Sequence, residues 1–232
     1  MYFFVPDLSH ILQKRVNFEL IGEVLEHFWS CRVVVGQICE MTDLNGFYAK
    51  TKITKIDKKN KKIDFEILST SFVSREGFYQ KSGANHILFQ AQIDKSYLEK
   101  WCEILPFSRF NKVFLFKSEF SLVQNLAWAR LEKILIRSCC QGQFLYKPSV
   151  QFIEKNEFLA LLTKFQPTIL DCQPNQILNQ NSTLKSALQK NVVIGPEGGF
   201  SQKERLEFQE LGLEFQNLGE IIYPSWLTCL MV

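Results

Sequence analysis

The chain of 232 residues is long enough for one large domain or two small ones. Hydrophobic residues make up 46% of it and charged residues 22%, a globular balance that excludes an intrinsically disordered chain. The net charge of +3 does not by itself indicate nucleic-acid binding, which would need a local basic patch. No apolar run approaches the roughly 18 residues that span a bilayer, and the chain does not begin with a secretory pattern. We therefore expect a soluble, cytoplasmic protein without a membrane partner.

The first part of the chain has the periodicity of short β-strands. Residues 37–42 and 47–56 are strand-like runs joined through Asn45 and Gly46, a strong hairpin signal. After a polar turn, apolar and polar residues alternate over residues 63–68, as in a half-buried strand. Such a meander predicts a small closed or partly closed barrel, with helical residues around 22–29 packed against it.

The second part of the chain alternates between strand and helix patterns. The polar, glycine-bearing residues 69–84 separate the two parts, so we predict domains over residues 1–70 and 84–232. Strands are predicted over residues 87–93, 113–116, 168–170 and 192–194, and helices over residues 96–105 and 127–138. This order indicates an α/β domain whose mainly parallel sheet is covered on both faces.

The cysteines and histidines show no metal-binding pattern. The seven cysteines include no Cys-x-x-Cys pair, and the three histidines lack the spacing of zinc ligands. The cysteines are Cys31, Cys39, Cys102, Cys139, Cys140, Cys172 and Cys229. Most of them have apolar neighbours, so we expect reduced, buried thiols and no metal site.

The sharpest feature is a glycine-rich turn after the predicted strand at residues 192–194. Residues 194–201 read Ile-Gly-Pro-Glu-Gly-Gly-Phe-Ser, in which the glycines let the backbone approach a ligand. Ser201 and Glu204 have the spacing of a capping box that opens a helix, and Gly212 follows the predicted end of that helix. The pattern is neither a P-loop nor a dinucleotide fingerprint, and such a turn can also be purely structural.

Combined with Asn217-Leu218-Gly219, this turn resembles the signature of the RsmE family of 16S rRNA (uracil-N3)-methyltransferases, which belong to the SPOUT class. The resemblance implies a small N-terminal PUA-like β-barrel that binds RNA, then an α/β domain with a C-terminal trefoil knot. It implies a homodimer, S-adenosyl-L-methionine as cofactor and 16S rRNA in the small ribosomal subunit as partner. The implied cofactor-binding residues are Ile194, Gly195, Pro196, Glu197, Gly198, Gly199, Leu218, Gly219, Ile222 and Tyr223.

Other segments extend the resemblance over most of the chain. Residues 2–5 look like the opening strand of the family, and His27 followed by Arg32 resembles its N-terminal motif. Residues 91–95 resemble the segment that enters the methyltransferase domain, and residues 130–148 resemble its central helix and following loop. The implied RNA-binding residues are Arg32, Lys95 and Gln141. The resemblance assigns no catalytic residue.

The final loop, residues 218–227, departs from the family pattern. The family reads approximately Leu-Gly-Pro-Arg-Ile-Leu-Arg-Thr-Glu-Thr, whereas this chain reads Leu-Gly-Glu-Ile-Ile-Tyr-Pro-Ser-Trp-Leu. Both arginines and the late glutamate are missing, and Phe144 stands where an arginine is usual. Methylation at uracil N3 needs a proton removed and donors that stabilise the ring charge. Two readings stay open: an active methyltransferase, or a catalytically impaired paralogue that keeps the fold and RNA or cofactor binding.

Seven lysines within thirteen residues form the strongest local positive charge. They are Lys50, Lys52, Lys55, Lys58, Lys59, Lys61 and Lys62. They could meet RNA phosphates at the edge of a hairpin, or they could protect a solvated edge strand from pairing.

Overall fold

A computed structural model describes residues 2–12, 17–82, 86–121, 127–172, 191–219 and 221–232. The chain divides into two compact units. The first unit comprises Met1–Lys81 and Leu135–Lys147, and the second comprises Ser82–Ile134 and Pro148–Val232. Within the described ranges, no helix is long and apolar enough to cross a membrane.

The first unit is built on a five-stranded sheet. Its strands are β1 (Phe3–Phe4), β2 (Asn17–Ile21), β3 (Ile38–Thr42), β4 (Phe47–Asp57) and β5 (Lys62–Phe72). Its helices are α1 (Leu8–Leu12), α2 (Glu26–Ser30) and α3 (Arg75–Ser82), with a 3-10 turn at Gly22–Leu25. The strand order is β1-β3-β4-β5-β2, and all ladders are antiparallel except β1 with β3.

The alternation along β4 explains how this sheet forms one core. Ala49, Thr51 and Ile53 are buried, whereas Lys50 and Lys52 between them are exposed. The predicted hairpin between β3 and β4 is confirmed, and the predicted helical segment buries Leu25 and Phe28 in the same core. The two outer strands of the sheet are β1 and β2 among the described residues, so a closed PUA-like barrel stays a prediction.

The structure corrects the interpretation of the lysine-rich segment. Because β4 lies between β3 and β5, Lys50 and Lys52 do not protect an edge strand. Acidic residues stand beside these lysines on the neighbouring strands, since Lys50 pairs with Glu40 and Lys52 pairs with Glu66. The segment is therefore less strongly positive than the sequence suggests.

The structure also assigns regular structure to the segment that composition marks as a boundary. Residues 69–72 extend β5, which pairs with β4 up to Phe47 and Phe72, and α3 follows. The sequence does not predict that residues 135–147 return to the first unit. There the Gly46 N–H donates to the Leu145 carbonyl at 3.0 Å, and the Tyr146 hydroxyl donates to the Val73 carbonyl at 2.7 Å.

The second unit is built on a six-stranded parallel sheet. Its strands are β6 (His86–Ala91), β7 (Phe110–Phe116), β8 (Ser149–Ile153), β9 (Thr168–Leu170), β10 (Val192–Ile194) and β11 (Phe215–Gln216). Its helices are α4 (Lys95–Ile104), α5 (Trp128–Gln141), α6 (Lys155–Phe165), α7 (Gln202–Glu210) and α8 (Ser225–Thr228), with a 3-10 turn at Leu105–Phe107. Helix α5 begins in the second unit and ends in the first. The order is β11-β9-β10-β6-β7-β8.

The predicted parallel sheet is confirmed. Every ladder of this sheet is parallel, and β9 and β10 are buried at each residue. Because successive side chains of a strand point to opposite faces, this burial shows that both faces are covered. The sequence reading missed β8, α6 and β11. The order β11-β9-β10 brings the carboxyl ends of three strands to one edge of the sheet, where the candidate site lies.

Candidate functional site

A cavity of about 620 Å³ lies at the carboxyl ends of β9, β10 and β11. Residues 170–172, 194–200 and 216–218 line it directly after these strands, together with residues 221–225 of the final loop. Open parallel sheets bind ligands at this edge, because the connecting loops present unpaired backbone groups there. The volume is in the range of small-molecule sites, roughly 300–1,000 Å³. All of these segments belong to the second unit.

One wall of the cavity is the glycine loop, residues 195–199. The Gly199 N–H donates to the Pro196 carbonyl at 2.9 Å, and Gly199 adopts a φ of +71°, which favours glycine. A Cβ on the buried Gly195 would lie 3.1 Å from the ring of Phe200, closer than packing allows without a shift. A side chain would therefore be crowded at Gly195 and strained by the backbone at Gly199.

The carboxylate of Glu204 holds the end of this wall in place. The predicted capping box is confirmed, because Ser201 Oγ accepts from the Glu204 N–H at 3.1 Å and Glu204 Oε2 accepts from the Ser201 N–H at 2.8 Å. The other carboxylate oxygen accepts from Ser118 Oγ at 2.7 Å and from the Glu119 N–H at 3.0 Å. Three of these four bonds reach the buried carboxylate of Glu204, and they tie the start of α7 to the residues after β7.

A second wall is the first part of the final loop. Asn217 Oδ1 accepts from the Gly219 N–H at 2.9 Å, and Gly219 adopts a φ of +109°. Ile221 and Ile222 are 65% and 73% exposed, so this wall presents apolar side chains to solvent. Glu220, between Gly219 and Ile221, lies outside the described residues.

Ser225 joins the two walls. Its hydroxyl donates to the Gly195 carbonyl at 2.5 Å and accepts from Gln90 Nε2 at 3.0 Å. Gln90 is completely buried in β6. A chain of hydrogen bonds therefore runs from the sheet through the final loop to the glycine loop.

An ion pair between Arg205 and Asp171 forms another part of the cavity lining. Arg205 Nε lies 2.6 Å from Asp171 Oδ2, and Arg205 Nη2 lies 3.3 Å from Oδ1. The side chains are only 15% and 11% exposed. The sequence reading missed both residues, although an acidic residue directly after a buried parallel strand is a signal for this edge of the sheet.

The structure brings together most of the residues that the sequence predicts for cofactor binding. Nine of the ten line the cavity, and Gly219 is the one outside the lining. The nine are Ile194, Gly195, Pro196, Glu197, Gly198, Gly199, Leu218, Ile222 and Tyr223. Their role in binding a cofactor stays a prediction.

The three residues predicted to bind RNA are all exposed but belong to different units. Arg32, with a φ of +51°, and Gln141 lie in the first unit. Lys95 opens α4 in the second unit, beside Asp94, whose N–H donates to Glu197 Oε1 at 3.2 Å.

The described cysteines and histidines come together at one place, where Cys31 Sγ lies 3.8 Å from His27 Nε2. No group of three or more His, Cys, Asp or Glu side chains that could hold a metal ion occurs in the parts of the chain that the structure describes. Five of the seven free cysteines are buried, as predicted, but Cys31 and Cys172 are exposed. Burial raises the pKa of the Cys139 thiol to about 12. Burial, and secondarily Arg137, lowers the pKa of His27, whose ring packs 5.1 Å from that of Phe3.

Comparison with known proteins identifies relatives of the second unit and of nearly the whole chain. The family model described as RNA methyltransferase domain matches residues 85–223. Ribosomal RNA small subunit methyltransferase E of Helicobacter pylori strain J99 is 35% identical over 117 residues, which are 47% of this chain and 48% of that relative. This chain thus aligns with about half the length of that relative. The protein of the same name from strain 26695 is 28% identical over 214 residues, which are 87% of this chain and 86% of that relative.

A solved structure shows the same fold. Ribosomal RNA small subunit methyltransferase E from Neisseria gonorrhoeae, crystallised with S-adenosyl methionine, superposes with a TM-score of 0.73 at 19% identity. The match covers 99% of this chain and 93% of that one.

Proposed function

The chain belongs to the family of RNA methyltransferase domains, and on this premise we propose that it transfers a methyl group from S-adenosyl-L-methionine to N3 of a uridine in 16S ribosomal RNA. The family membership confirms, at the level of an RNA methyltransferase, the resemblance drawn from residues 194–201 and 217–219. The observation that carries the proposal is the meeting of these two segments at one cavity. In the chain they are separated by helix α7 and strand β11, and neither alone would specify a ligand site.

The cavity fits S-adenosyl-L-methionine in size and in the kind of groups it offers. Its volume of about 620 Å³ suits a ligand of this size. The glycine loop lets backbone amides and carbonyls approach a ligand, because no side chain stands at Gly195, Gly198 or Gly199. When bound, this cofactor supplies an electrophilic methyl group on a sulfonium. The residues that would hold it are Ile194, Gly195, Pro196, Glu197, Gly198, Gly199, Leu218, Gly219, Ile222 and Tyr223.

The final loop contributes little to the chemistry of the uracil. A positioned group must take the N3 proton, and donors must stabilise the charge left on the ring. Ile221 and Ile222 provide neither, and the hydroxyl of Ser225 donates to the Gly195 carbonyl. Tyr223 brings a hydroxyl to the cavity lining. This apolar wall favours the second candidate function, a catalytically impaired paralogue that keeps cofactor or RNA binding.

The partner in this proposal is 16S rRNA in the small ribosomal subunit. Arg32 and Gln141 of a PUA-like first unit, together with Lys95 of the second, contact the RNA. A charged or amide side chain at each of these exposed positions suits phosphate and base edges. The active form is a cytoplasmic homodimer, and the final loop belongs to a trefoil knot that holds the cofactor.

Methyl transfer and cofactor binding need separate assays, because the impaired paralogue lacks methyl transfer but keeps RNA or cofactor binding. Small ribosomal subunits from a strain that lacks this enzyme class are incubated with the chain and methyl-labelled S-adenosyl-L-methionine. We expect label at uracil N3 of the 16S rRNA. Calorimetry with the unlabelled cofactor measures binding. Binding without label would replace the proposal by the impaired paralogue. The absence of both would contradict the proposal and leave only a paralogue that binds RNA without the cofactor.

A further inference from the structure

Among the described residues, the contacts of the ion pair at the cavity wall leave part of its hydrogen-bonding capacity unused. Arg205 approaches Asp171 side-on, through Nε and Nη2. A guanidinium has five N–H donors, and this arrangement does not use its end-on edge, formed by Nη1 and Nη2. Asp171 Oδ1 also accepts from the Cys172 N–H at 2.8 Å, and Oδ2 keeps further lone-pair capacity.

The guanidinium lies directly beside the glycine loop. A Cβ added to Gly199 would be 3.7 Å from Arg205 Nη2. Because Gly199 has no side chain, the guanidinium can lie close to the backbone of the loop. Both Arg205 and Asp171 line the cavity. A fixed positive charge and a fixed negative charge therefore stand next to each other at the place where the loop would meet a ligand.

Stability alone is a weak explanation for this pair. Removing two charges from water costs free energy that their attraction offsets only with good geometry, so buried ion pairs often add little stability. Paired charges on a ligand cavity do, however, give specificity, because a guanidinium binds a second carboxylate through its free edge. A complementary ligand would carry a carboxylate and an ammonium close together.

We infer that Arg205 and Asp171 bind the amino-acid end of the cofactor, Arg205 its α-carboxylate and Asp171 its α-ammonium. This inference rests on the proposed function, which supplies the cofactor. The methionine part of S-adenosyl-L-methionine carries both groups on one carbon, whereas its adenine and ribose carry neither charge. The ion pair is then the charged part of a site that otherwise uses backbone groups.

The test compares two ligands in the same full-length variants. 5′-Methylthioadenosine keeps the adenosine and the sulfur of the cofactor but lacks its amino-acid end. Calorimetry measures the affinity of both ligands for the unaltered chain, Arg205→Met and Asp171→Asn. We expect each substitution to weaken S-adenosyl-L-methionine roughly 10–100-fold. The affinity for 5′-methylthioadenosine should stay within about twofold, because that ligand makes no charged contact with the pair.

A matched control and a third ligand sharpen the assignment. Lys155→Met removes another ion pair of the second unit, Lys155 with Glu207 at 2.8 Å, outside the cavity lining, and should leave both affinities unchanged. Decarboxylated S-adenosyl-L-methionine lacks only the α-carboxylate. Its affinity should be insensitive to Arg205→Met but reduced by Asp171→Asn.

The comparison stays informative if a variant folds poorly. A smaller folded fraction lowers the apparent affinities for both ligands by the same factor, so the ratio between them is unaffected. Equal losses for both ligands would overturn the inference and show that the pair shapes the cavity for the nucleoside, with the proposed function intact. Failure of the unaltered chain to bind S-adenosyl-L-methionine would instead overturn the proposed function and this inference with it.

Discussion

The two walls of the cavity are built on different principles. The glycine loop is held by the capping box of Ser201 and Glu204 and by the packing of Gly195 on Phe200. The final loop presents exposed isoleucines, and its first turn is closed by one bond from the Gly219 N–H to Asn217. One wall offers a fixed backbone, and the other offers side chains.

This difference separates binding from chemistry. Backbone groups bind a ligand whatever the neighbouring side chains are, provided that the chain path is kept. Stabilisation of a transition state needs particular side chains aimed at the reacting atoms. A change in the glycine loop should therefore alter affinity for the cofactor, and a change in the final loop should alter turnover. Each prediction below tests one side of this separation.

The largest effect is expected from restoring charge to the final loop. In the family pattern, arginines stand at the positions of Ile221 and Pro224. The double variant Ile221→Arg, Pro224→Arg should raise methyl transfer to 16S rRNA by roughly 10²–10³-fold, the usual value of a well-placed donor. Label incorporation into small ribosomal subunits measures the rate, and calorimetry should show unchanged affinity for the cofactor.

Ile222→Arg is the matched control for this gain. Ile222 is as exposed as Ile221, but the family pattern has an apolar residue at its position. An arginine there adds one of the two positive charges, but in the wrong place, and should not raise the rate. Equal gains in the control and the double variant would mean that added charge alone attracts RNA. Efficient labelling by the unaltered chain would mean that other residues carry the chemistry.

The next largest effect is expected from filling the glycine loop. Gly195→Ala places a Cβ 3.1 Å from the buried ring of Phe200, so the loop or the ring must move. Overpacking of this kind costs about 1–3 kcal/mol, and we expect S-adenosyl-L-methionine affinity to fall by roughly 5–150-fold. Calorimetry checks the affinity, and thermal unfolding separates it from loss of fold.

Relief of the steric conflict provides the control for Gly195→Ala. Adding Phe200→Leu removes the ring atoms that the new methyl group would meet. The double variant should recover part of the lost affinity. If it does not, the loss comes from the changed backbone preference of residue 195 and not from its contact with Phe200.

A third prediction tests whether the segment after β9 belongs to the same ligand site. Cys172 lines the cavity and is exposed, whereas Cys31 is exposed in the first unit. At a cofactor concentration about ten times its Kd, maleimide labelling of Cys172 should slow about tenfold, because the bound chain is protected. Labelling of Cys31 should not change. If Cys172 is labelled at the same rate with and without the cofactor, the ligand binds elsewhere.

The pH dependence of this labelling follows from the state of the thiol. Burial, followed by the charge of Asp171, raises the pKa of Cys172 above its usual value. The thiolate is the reactive form, so its fraction is small at neutral pH and grows as the pH rises through that pKa. Labelling of Cys172 should therefore accelerate with pH up to a more alkaline value than an ordinary thiol requires. Mass spectrometry of the two peptides measures both rates in one sample.

Much of this arrangement could be predicted from local sequence patterns. Alternation over residues 63–68, the Asn45-Gly46 turn and the box of Ser201 and Glu204 each depend on neighbours in the chain, and each is confirmed. Strand β11, with two residues, is too short to show a period. The edge position assumed for the lysine-rich strand was wrong, because strand order depends on pairing between distant segments.

The parts of the site that the sequence did not predict also depend on contacts between distant segments of the chain. Asp171 and Arg205 lie 34 residues apart, and no local rule pairs them. The link from Gln90 to Ser225 spans 135 residues and exists only because β6 lies beside β10. Sequence patterns thus indicate the turn that forms the site. The charged pair of Asp171 and Arg205 and the hydrogen bond from Gln90 to Ser225 depend on the order of strands in the sheet.

The smallest effect is expected from breaking the connection between the walls. Ser225→Ala removes the hydroxyl that donates to the Gly195 carbonyl and accepts from Gln90, at a position only 8% exposed. A typical internal hydrogen bond contributes about 0.5–1.5 kcal/mol, so cofactor affinity should fall about two- to tenfold. Ser225→Thr keeps the hydroxyl and should bind the cofactor nearly as the unaltered chain does.

If the two walls act as one unit, the effects of Ser225→Ala and Gly195→Ala on cofactor affinity will be non-additive in a double-mutant cycle, since both act on the position of residue 195. Additive losses measured by calorimetry would show instead that each wall holds the cofactor independently, and the hydrogen bond through Ser225 would then serve only the packing of α8.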